Sequence, residues 1–139
     1  MPTDNLMKVD IYINYAGHCE EAFRFYEQHL GGKITMMTAH EQLTSNFPTD
    51  WKNPILHARI EIGGITLMGA DIPNAEPMRS AYLTIRVDTP EKAEQTFNLL
   101  SIDGQVFMQM EQTFFATRFG MLRDKFGTSW MILNETGKH

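Results

Sequence analysis

The feature that most limits what this chain can fold into is a plan written twice: a strand, a short helix and further strands, repeated at an offset of roughly 70 residues. The first copy opens on Val9-Asp10-Ile11-Tyr12-Ile13-Asn14-Tyr15, runs into Glu20-Glu21-Ala22-Phe23-Arg24-Phe25-Tyr26 and closes on Gly31-Gly32. The second opens on Ala81-Tyr82-Leu83-Thr84-Ile85-Arg86-Val87, runs into Pro90-Glu91-Lys92-Ala93-Glu94-Gln95-Thr96-Phe97 and closes on Gly104. A unit of that size does not bury its own sheet face. Two copies are therefore expected to pack on each other, with a small molecule seated in the cleft between them.

Hydrophobic periodicity fills in the elements. Val9, Ile11, Ile13 and Tyr15 alternate with Asp10, Tyr12 and Asn14, the period of a strand with two unlike faces. Ala22, Phe23, Tyr26 and Leu30 fall at helical spacing, with Glu20 and Glu21 in the first turn, where acidic groups meet the helix dipole favourably. Lys33 to Ala39 reads as a strand, and the polar stretch His40 to Asn53 as a long loop of the kind that covers a site. Ile55 to Ile62 and Ile65 to Ala70 form a hairpin about Gly63-Gly64. Asp71 to Met78, with Pro73 and Pro77, reads as the linker between the copies. Thr89-Pro90 starts the second helix, threonine as cap and proline at the first helical position. Ala93, Phe97 and Leu100 form its apolar stripe. Gln105 to Glu111, Ala116 to Arg123 and Thr128 to Leu133 are the last strands, with Asp124-Lys125-Phe126-Gly127 turning between the final two, and Glu135 to His139 frays.

Composition excludes several classes of function. A chain of 139 residues suits one domain, 1–139, built of modules at about 7–72 and 79–135. A net charge of −5 with scattered lysines and arginines argues against a nucleic-acid or anionic-membrane partner. The start lacks the basic-then-apolar run of a secretory signal, and no apolar stretch is long enough to span a bilayer, so a cytoplasmic protein is expected. Cys19 is the single cysteine, which rules out an intrachain disulfide and a cysteine-based zinc site. At a helix start its thiolate would be favoured; buried and inert is the expected state.

The order of these elements resembles a known family. Tyr15-Ala16-Gly17, then Cys19 to Tyr26, then Gly31-Gly32, is similar to the opening of PhnB-like proteins of the vicinal oxygen chelate superfamily, which includes glyoxalase I, bleomycin-resistance proteins, fosfomycin-resistance transferases and extradiol dioxygenases. His57-Ala58-Arg59-Ile60, Leu67-Met68-Gly69-Ala70-Asp71, Phe119-Gly120, Asp124 to Gly127 and Trp130 agree with it. The resemblance implies an α+β fold of two βαβββ modules whose mixed sheets curve into a cup, and a homodimer. In metal-bearing members the ligands come from the first and last strand of each module. Alignment puts Ile11, Leu67, Tyr82 and Met131 there, and a slip of one residue offers Asp10 or Tyr12, Thr66 or Met68, Ala81 or Leu83, and Trp130 or Ile132. Hard or borderline divalent ions want imidazole or carboxylate, so neither a metal site nor any other cofactor is expected.

Polar groups on the strands are the remaining candidates. His57, Arg59 and Glu61 share one strand face. If that face lines the cup, His57 is a candidate general acid or base oriented by Glu61; if it meets solvent or a partner subunit, it is an ordinary polar face. Tyr82, Thr84 and Arg86 share another: Tyr82 is a candidate hydroxyl donor, Thr84 a ligand contact, and Arg86 either holds a carboxylate or phosphonate or pairs across strands with Glu61 or another carboxylate. Arg118 and Arg123 suit exposed sheet edges. Trp130 and Met131 are candidate ligand contacts, although tryptophans such as Trp51 and Trp130 also anchor cores and loops. Met36, Met37, Met68, Met108, Met110, Met121 and Met131 fall on strands, suiting either an adaptable apolar pocket or plain core packing. His18, His29, His40 and His139 show no metal-ligand spacing.

Proteins of this type are also described as ubiquinone-pathway methyltransferases, yet no strand here runs into the glycine-rich turn of a Rossmann-like cofactor site. Two functions remain. One is a metal-independent binder of a small, partly apolar molecule, in the manner of bleomycin-resistance proteins. The other is a glyoxalase-type lyase or isomerase acting on a small oxygenated substrate.

Overall fold

A computed structural model describes residues 7–40 and 47–135. The centre of the loop expected over His40 to Asn53, and the end of the chain past Glu135, lie outside the described residues. The chain divides into two compact units, Met1–Ala75 and Glu76–His139.

The first unit contains β1 (Ile11–Tyr15), α1 (Cys19–Leu30), β2 (Lys33–Ala39), β3 (Ile55–Ile62) and β4 (Ile65–Asp71). Its sheet runs in the order β1-β4-β3-β2. β1 lies parallel to β4, pairing Ile11 with Leu67 and Tyr15 with Asp71, while β3 is antiparallel to both β4 and β2. Helix α1 covers one face. Its Ala22, Phe23 and Tyr26 are buried, and so are Ile13, Tyr15, Ala58, Ile60 and Leu67 on the strands beneath. Each large side chain so buried contributes roughly 1.5–3 kcal/mol of hydrophobic stabilisation. Helix and sheet approach closely at Gly69, where a Cβ would stand 2.9 Å from the Phe23 ring and 3.2 Å from Cys19 Sγ. The helix ends on Gly31, in the left-handed region at φ 75°, a conformation glycine adopts without steric cost.

The second unit repeats the order with β5 (Leu83–Arg86), α2 (Pro90–Ser101), β6 (Gln105–Glu111), β7 (Ala116–Arg123) and β8 (Ser129–Glu135), in a sheet ordered β5-β8-β7-β6. Helix α2 buries Ala93, Phe97 and Leu100. Phe97 reaches the sheet at Gly120, where a Cβ would lie 2.8 Å from its ring. An ion pair between Arg118 and Glu94, 2.8 Å, ties β7 to the same helix.

Four strands differ from their expected bounds, among them β4, which runs to Asp71 and not Ala70, so that Asp71 closes a strand and the linker begins after it. β1 begins at Ile11 rather than Val9, its pairing with β4 starting at Ile11 opposite Leu67. β5 begins at Leu83 rather than Ala81: Ser80 takes a left-handed turn at φ 60°, and the chain joins β8 only after it. β8 runs to Glu135, two residues past Leu133, because Asn134 and Glu135 still pair with β7.

Candidate functional site

The faces turned away from the helices are those free to take a ligand, and the two units present unlike ones. In the first unit the pleat places Tyr12, Thr66, Met68, His57, Arg59, Glu61, Lys33, Met36 and Thr38 on that face. Tyr12, Met68, Arg59 and Met36 form a single rung, each opposite the next across β1, β4, β3 and β2. His57 stands two residues before Arg59. Its Nε2 accepts a hydrogen bond from Arg59 Nε at 3.2 Å, and its Nδ1 lies 3.4 Å from the Tyr12 hydroxyl. Arginine only donates, so Nε2 carries the lone pair and a neutral ring bears its proton on Nδ1, directed at the Tyr12 oxygen. Burial, and secondarily the neighbouring Cys19, push the Tyr12 phenol above its ordinary value, so the hydroxyl stays protonated near neutral pH.

The expectation that Glu61 orients His57 is not met. Four residues along a strand separate Cα atoms by about 13 Å, and the groups that hold His57 are Tyr12 and Arg59. Glu61 instead lies beside Lys33 and Thr66 on the rim of an open depression at the β3–β4 turn.

In the second unit Met108, Met121 and Met131 pack with Ala116, Phe119 and Leu133 in an apolar cluster. Met108, Met121 and Met131 are successive partners across β6, β7 and β8, and Thr84 of β5 continues the rung. The Thr84 hydroxyl donates to Met131 Sδ at 3.9 Å. Arg86 lies 3.6 Å from Glu135 of the neighbouring strand, so its cross-strand partner is another carboxylate and not Glu61. Both side chains are well exposed, and the pair contributes little to stability. Tyr82 precedes β5 and sets its ring edge-on to Phe107 at 6.4 Å. Trp130 and Met131 are adjacent on one strand and therefore face opposite ways. Trp130 is buried on the α2 side, and its indole N–H donates to Asp124 Oδ2 at 2.8 Å, so it serves the core and not the open face. Arg123 is likewise structural, donating to the Met78 carbonyl at 2.9 Å and stacking on Phe107.

The pleat also decides which aligned metal positions face outward. Ile11 and Leu67 point toward α1 with Ile13. Nearest those positions the outward pairs are Tyr12 with Met68 and Thr84 with Met131, and Asn14 with Ala70 and Arg86 with Leu133 follow on the same faces. A phenol, two thioethers and an aliphatic hydroxyl do not fit the donor set of a hard or borderline divalent ion. Among the described residues no group of three or more His, Cys, Asp or Glu side chains stands close enough to hold a metal.

Two buried carboxylates escaped the sequence reading as determinants. Asp71 Oδ1 accepts from the Gly17 and Cys19 amides at 2.8 and 3.0 Å, and Oδ2 from the Ile55 amide at 2.9 Å. It caps α1 from a distance, since His18 at the N-cap makes no side-chain capping bond. Asp124 Oδ1 accepts from the Phe126 and Thr128 amides at 2.9 and 3.0 Å. Cys19 is buried beside Asp71, and burial first, then Asp71 and Glu20, push its thiol far up, against the thiolate that a helix start would favour.

The strand-to-helix turn of the first unit is closed to a phosphate. Its Gly17 and Cys19 amides are taken by Asp71, and the Trp51 indole lies 2.9 Å from where a Gly17 Cβ would stand. Gly63-Gly64 is a hairpin turn, with φ of 57° and 87°.

Comparison with known proteins agrees with this architecture. A family model described as 3-demethylubiquinone-9 3-methyltransferase matches residues 7–133. The protein YjdN of Escherichia coli is 29% identical over 91% of this chain and 94% of its own. Protein PA1353 from Pseudomonas aeruginosa is 36% identical, with a TM-score of 0.80 over 95% of this chain and 100% of that one. The PhnB protein from Bacillus cereus is 23% identical, with a TM-score of 0.78 over 92% and 99%. FosX from Listeria monocytogenes, a fosfomycin resistance protein solved with manganese(II), is 8% identical with a TM-score of 0.65 over 99% and 95%, a likeness of fold alone. With its paired βαβββ units and a family match across nearly its whole length, the chain belongs to the PhnB-like family that carries the 3-demethylubiquinone-9 3-methyltransferase description, within the vicinal oxygen chelate superfamily.

Proposed function

We propose that this protein binds a small, partly apolar molecule on the sheet faces turned away from its helices, without a metal centre. The observation that carries this reading is the chemistry of the outward residues nearest the aligned metal positions, Tyr12, Met68, Thr84 and Met131. Met131, Met121 and Met108 supply an adaptable apolar floor. Thr84 and Tyr82 offer hydroxyls beside it, and Arg86 stands at its edge with only a long, exposed ion pair to break. The acidic net charge favours neutral or cationic ligands at that floor. Methyl transfer finds no support in the turn at Gly17, whose amides are already committed.

The second reading, a glyoxalase-type lyase or isomerase, is favoured by the hydrogen-bonded chain of Tyr12, His57 and Arg59, and weakened by the distance of Glu61 from it. A thermal-shift screen of small apolar and oxygenated compounds, run in the presence of a chelator, separates the two. Binding should raise the melting temperature with chelator present, and Met131→Asp should abolish the shift while His57→Ala leaves it intact. Turnover of a hit that His57→Ala abolishes would move the protein to the enzymatic reading. A homodimer accompanies the proposal, and light scattering at micromolar concentration would overturn it by finding a monomer.

A further inference from the structure

The strand arginines of this chain divide sharply by partner. Arg86 and Arg118 face Glu135 and Glu94, and Arg123 donates to the Met78 carbonyl and to Gln105. Arg59 spends only its Nε, on the His57 ring, and its two terminal nitrogens have no acceptor among the described residues. Its aliphatic stem is flanked on the same rung by Met36 and Met68. The guanidinium is thus held along its edge by an imidazole, while among the described residues the fork that suits an oxyanion stays open.

Tyr12 stands on the same rung, across Met68. Its oxygen is turned to His57 Nδ1, which in the neutral ring is the donor, so the phenolic proton is left for another acceptor. His57 therefore aims two different donors, the Tyr12 O–H and the Arg59 fork, above one side chain. We propose that the first unit carries an oxyanion site over Met68, in which Arg59 grips a carboxylate or phosphoryl group with its terminal nitrogens, Tyr12 donates to it, and His57 positions both. This inference concerns a charged group on the first unit and goes beyond the apolar binding proposed for the second. Preorganised, charge-assisted donors of this kind are the usual means of fixing an anionic group with both strength and orientation.

The test is a titration of the isotopically labelled full chain with inorganic phosphate, with benzoate and with neutral benzamide, chelator present, read from the His57 ring and Arg59 Nε resonances. Phosphate or benzoate should produce a saturable shift of both resonances, and benzamide none. Which of the two anions binds more tightly identifies the oxyanion as phosphoryl or carboxylate. Arg59→Gln and Tyr12→Phe should each raise the dissociation constant at least about tenfold, the loss expected for a hydrogen bond to a charged group. Arg59→Lys, which keeps the charge and loses the fork, should recover only part of the affinity. All three side chains lie on the open face, and unchanged circular dichroism confirms folding. No saturable shift to high millimolar anion, an equal response to benzamide, or full affinity in Arg59→Gln would overturn the proposal. Retention of apolar-ligand binding in Met131→Asp, with anion shifts intact, would leave it standing and count against the second-unit site alone.

Discussion

The first unit turns a polar face away from its helix and the second an apolar one, although their strand orders match. On β3 the outward residues are His57, Arg59 and Glu61; on β7 and β8 they include Phe119, Met121, Met131 and Leu133. The hidden carboxylates differ as well. Asp71 gathers amides 16 to 54 residues away, drawing the start of α1 and the start of β3 to the end of β4. Asp124 gathers donors only two to six residues away, within its own turn and the strand that follows. One backbone plan thus tolerates two sheet faces and two ways of closing the unit. What it requires in both is an apolar face under the helix and a satisfied carboxylate in the core.

The largest test of that contrast is Asp71→Asn. An amide keeps one oxygen for the Gly17 and Cys19 amides but turns an NH2 group against the Ile55 amide and removes the buried charge that all three donors stabilise, and the cost should reach about 3–5 kcal/mol in urea unfolding. Asp124→Asn should cost less, about 1–3 kcal/mol, because its turn can relax locally. Equal losses would break the distinction between a long-range and a local staple.

The contrast between faces comes next. Met131→Asp should weaken the binding of a neutral apolar dye such as Nile red about tenfold, by putting a charge on the apolar floor, while Arg59→Gln leaves it unchanged. Equal effects in fluorescence titration would mean the faces are not distinct in what they bind.

Helix capping gives a smaller effect. The Thr89 hydroxyl accepts from the Lys92 amide at 3.1 Å, so Thr89→Ala should cost about 1 kcal/mol. His18→Ala should stay within about 0.5 kcal/mol, since Asp71 does the capping there.

Cys19 supplies an effect that depends on pH. Its folded-state value is raised, so its contribution is fully present below the unfolded thiol's ordinary value, about 8.5, and is lost as pH rises above it. Above that pH the unfolded chain releases a proton that the folded chain keeps, and stability falls by at most about 1.4 kcal/mol per pH unit. Unfolding measured across that range should lose this slope in Cys19→Ala.

The same contrast explains what the sequence reveals. Asp124 reads correctly as a turn residue because its amide donors lie within four positions of it. Asp71 reads as the opening of a linker, since nothing near it in the chain shows that Gly17, Cys19 and Ile55 will converge on it. Both helices, the Gly63-Gly64 hairpin and the buried stripes Ala22, Phe23, Tyr26 and Ala93, Phe97, Leu100 follow from periodicity alone. The site was less legible. Alternation shows that His57, Arg59 and Glu61 share a face, but only the register of β1 against β4 brings Tyr12 to His57 and leaves Glu61 apart. Trp130 and Met131 were both candidates for ligand contact, and the pleat permits only one of them to face outward.

The central claim is that the outward positions of the first and last strands hold no metal, and metal content measures it most directly. The full chain, purified without an affinity tag, would be analysed by mass spectrometry before and after exposure to nickel(II), zinc(II), manganese(II) and iron(II), with melting temperature followed alongside. The account predicts metal far below one equivalent per chain and no stabilisation by any of the four ions. One tightly held equivalent that raises the melting temperature would contradict it, and would require donors other than Tyr12, Met68, Thr84 and Met131.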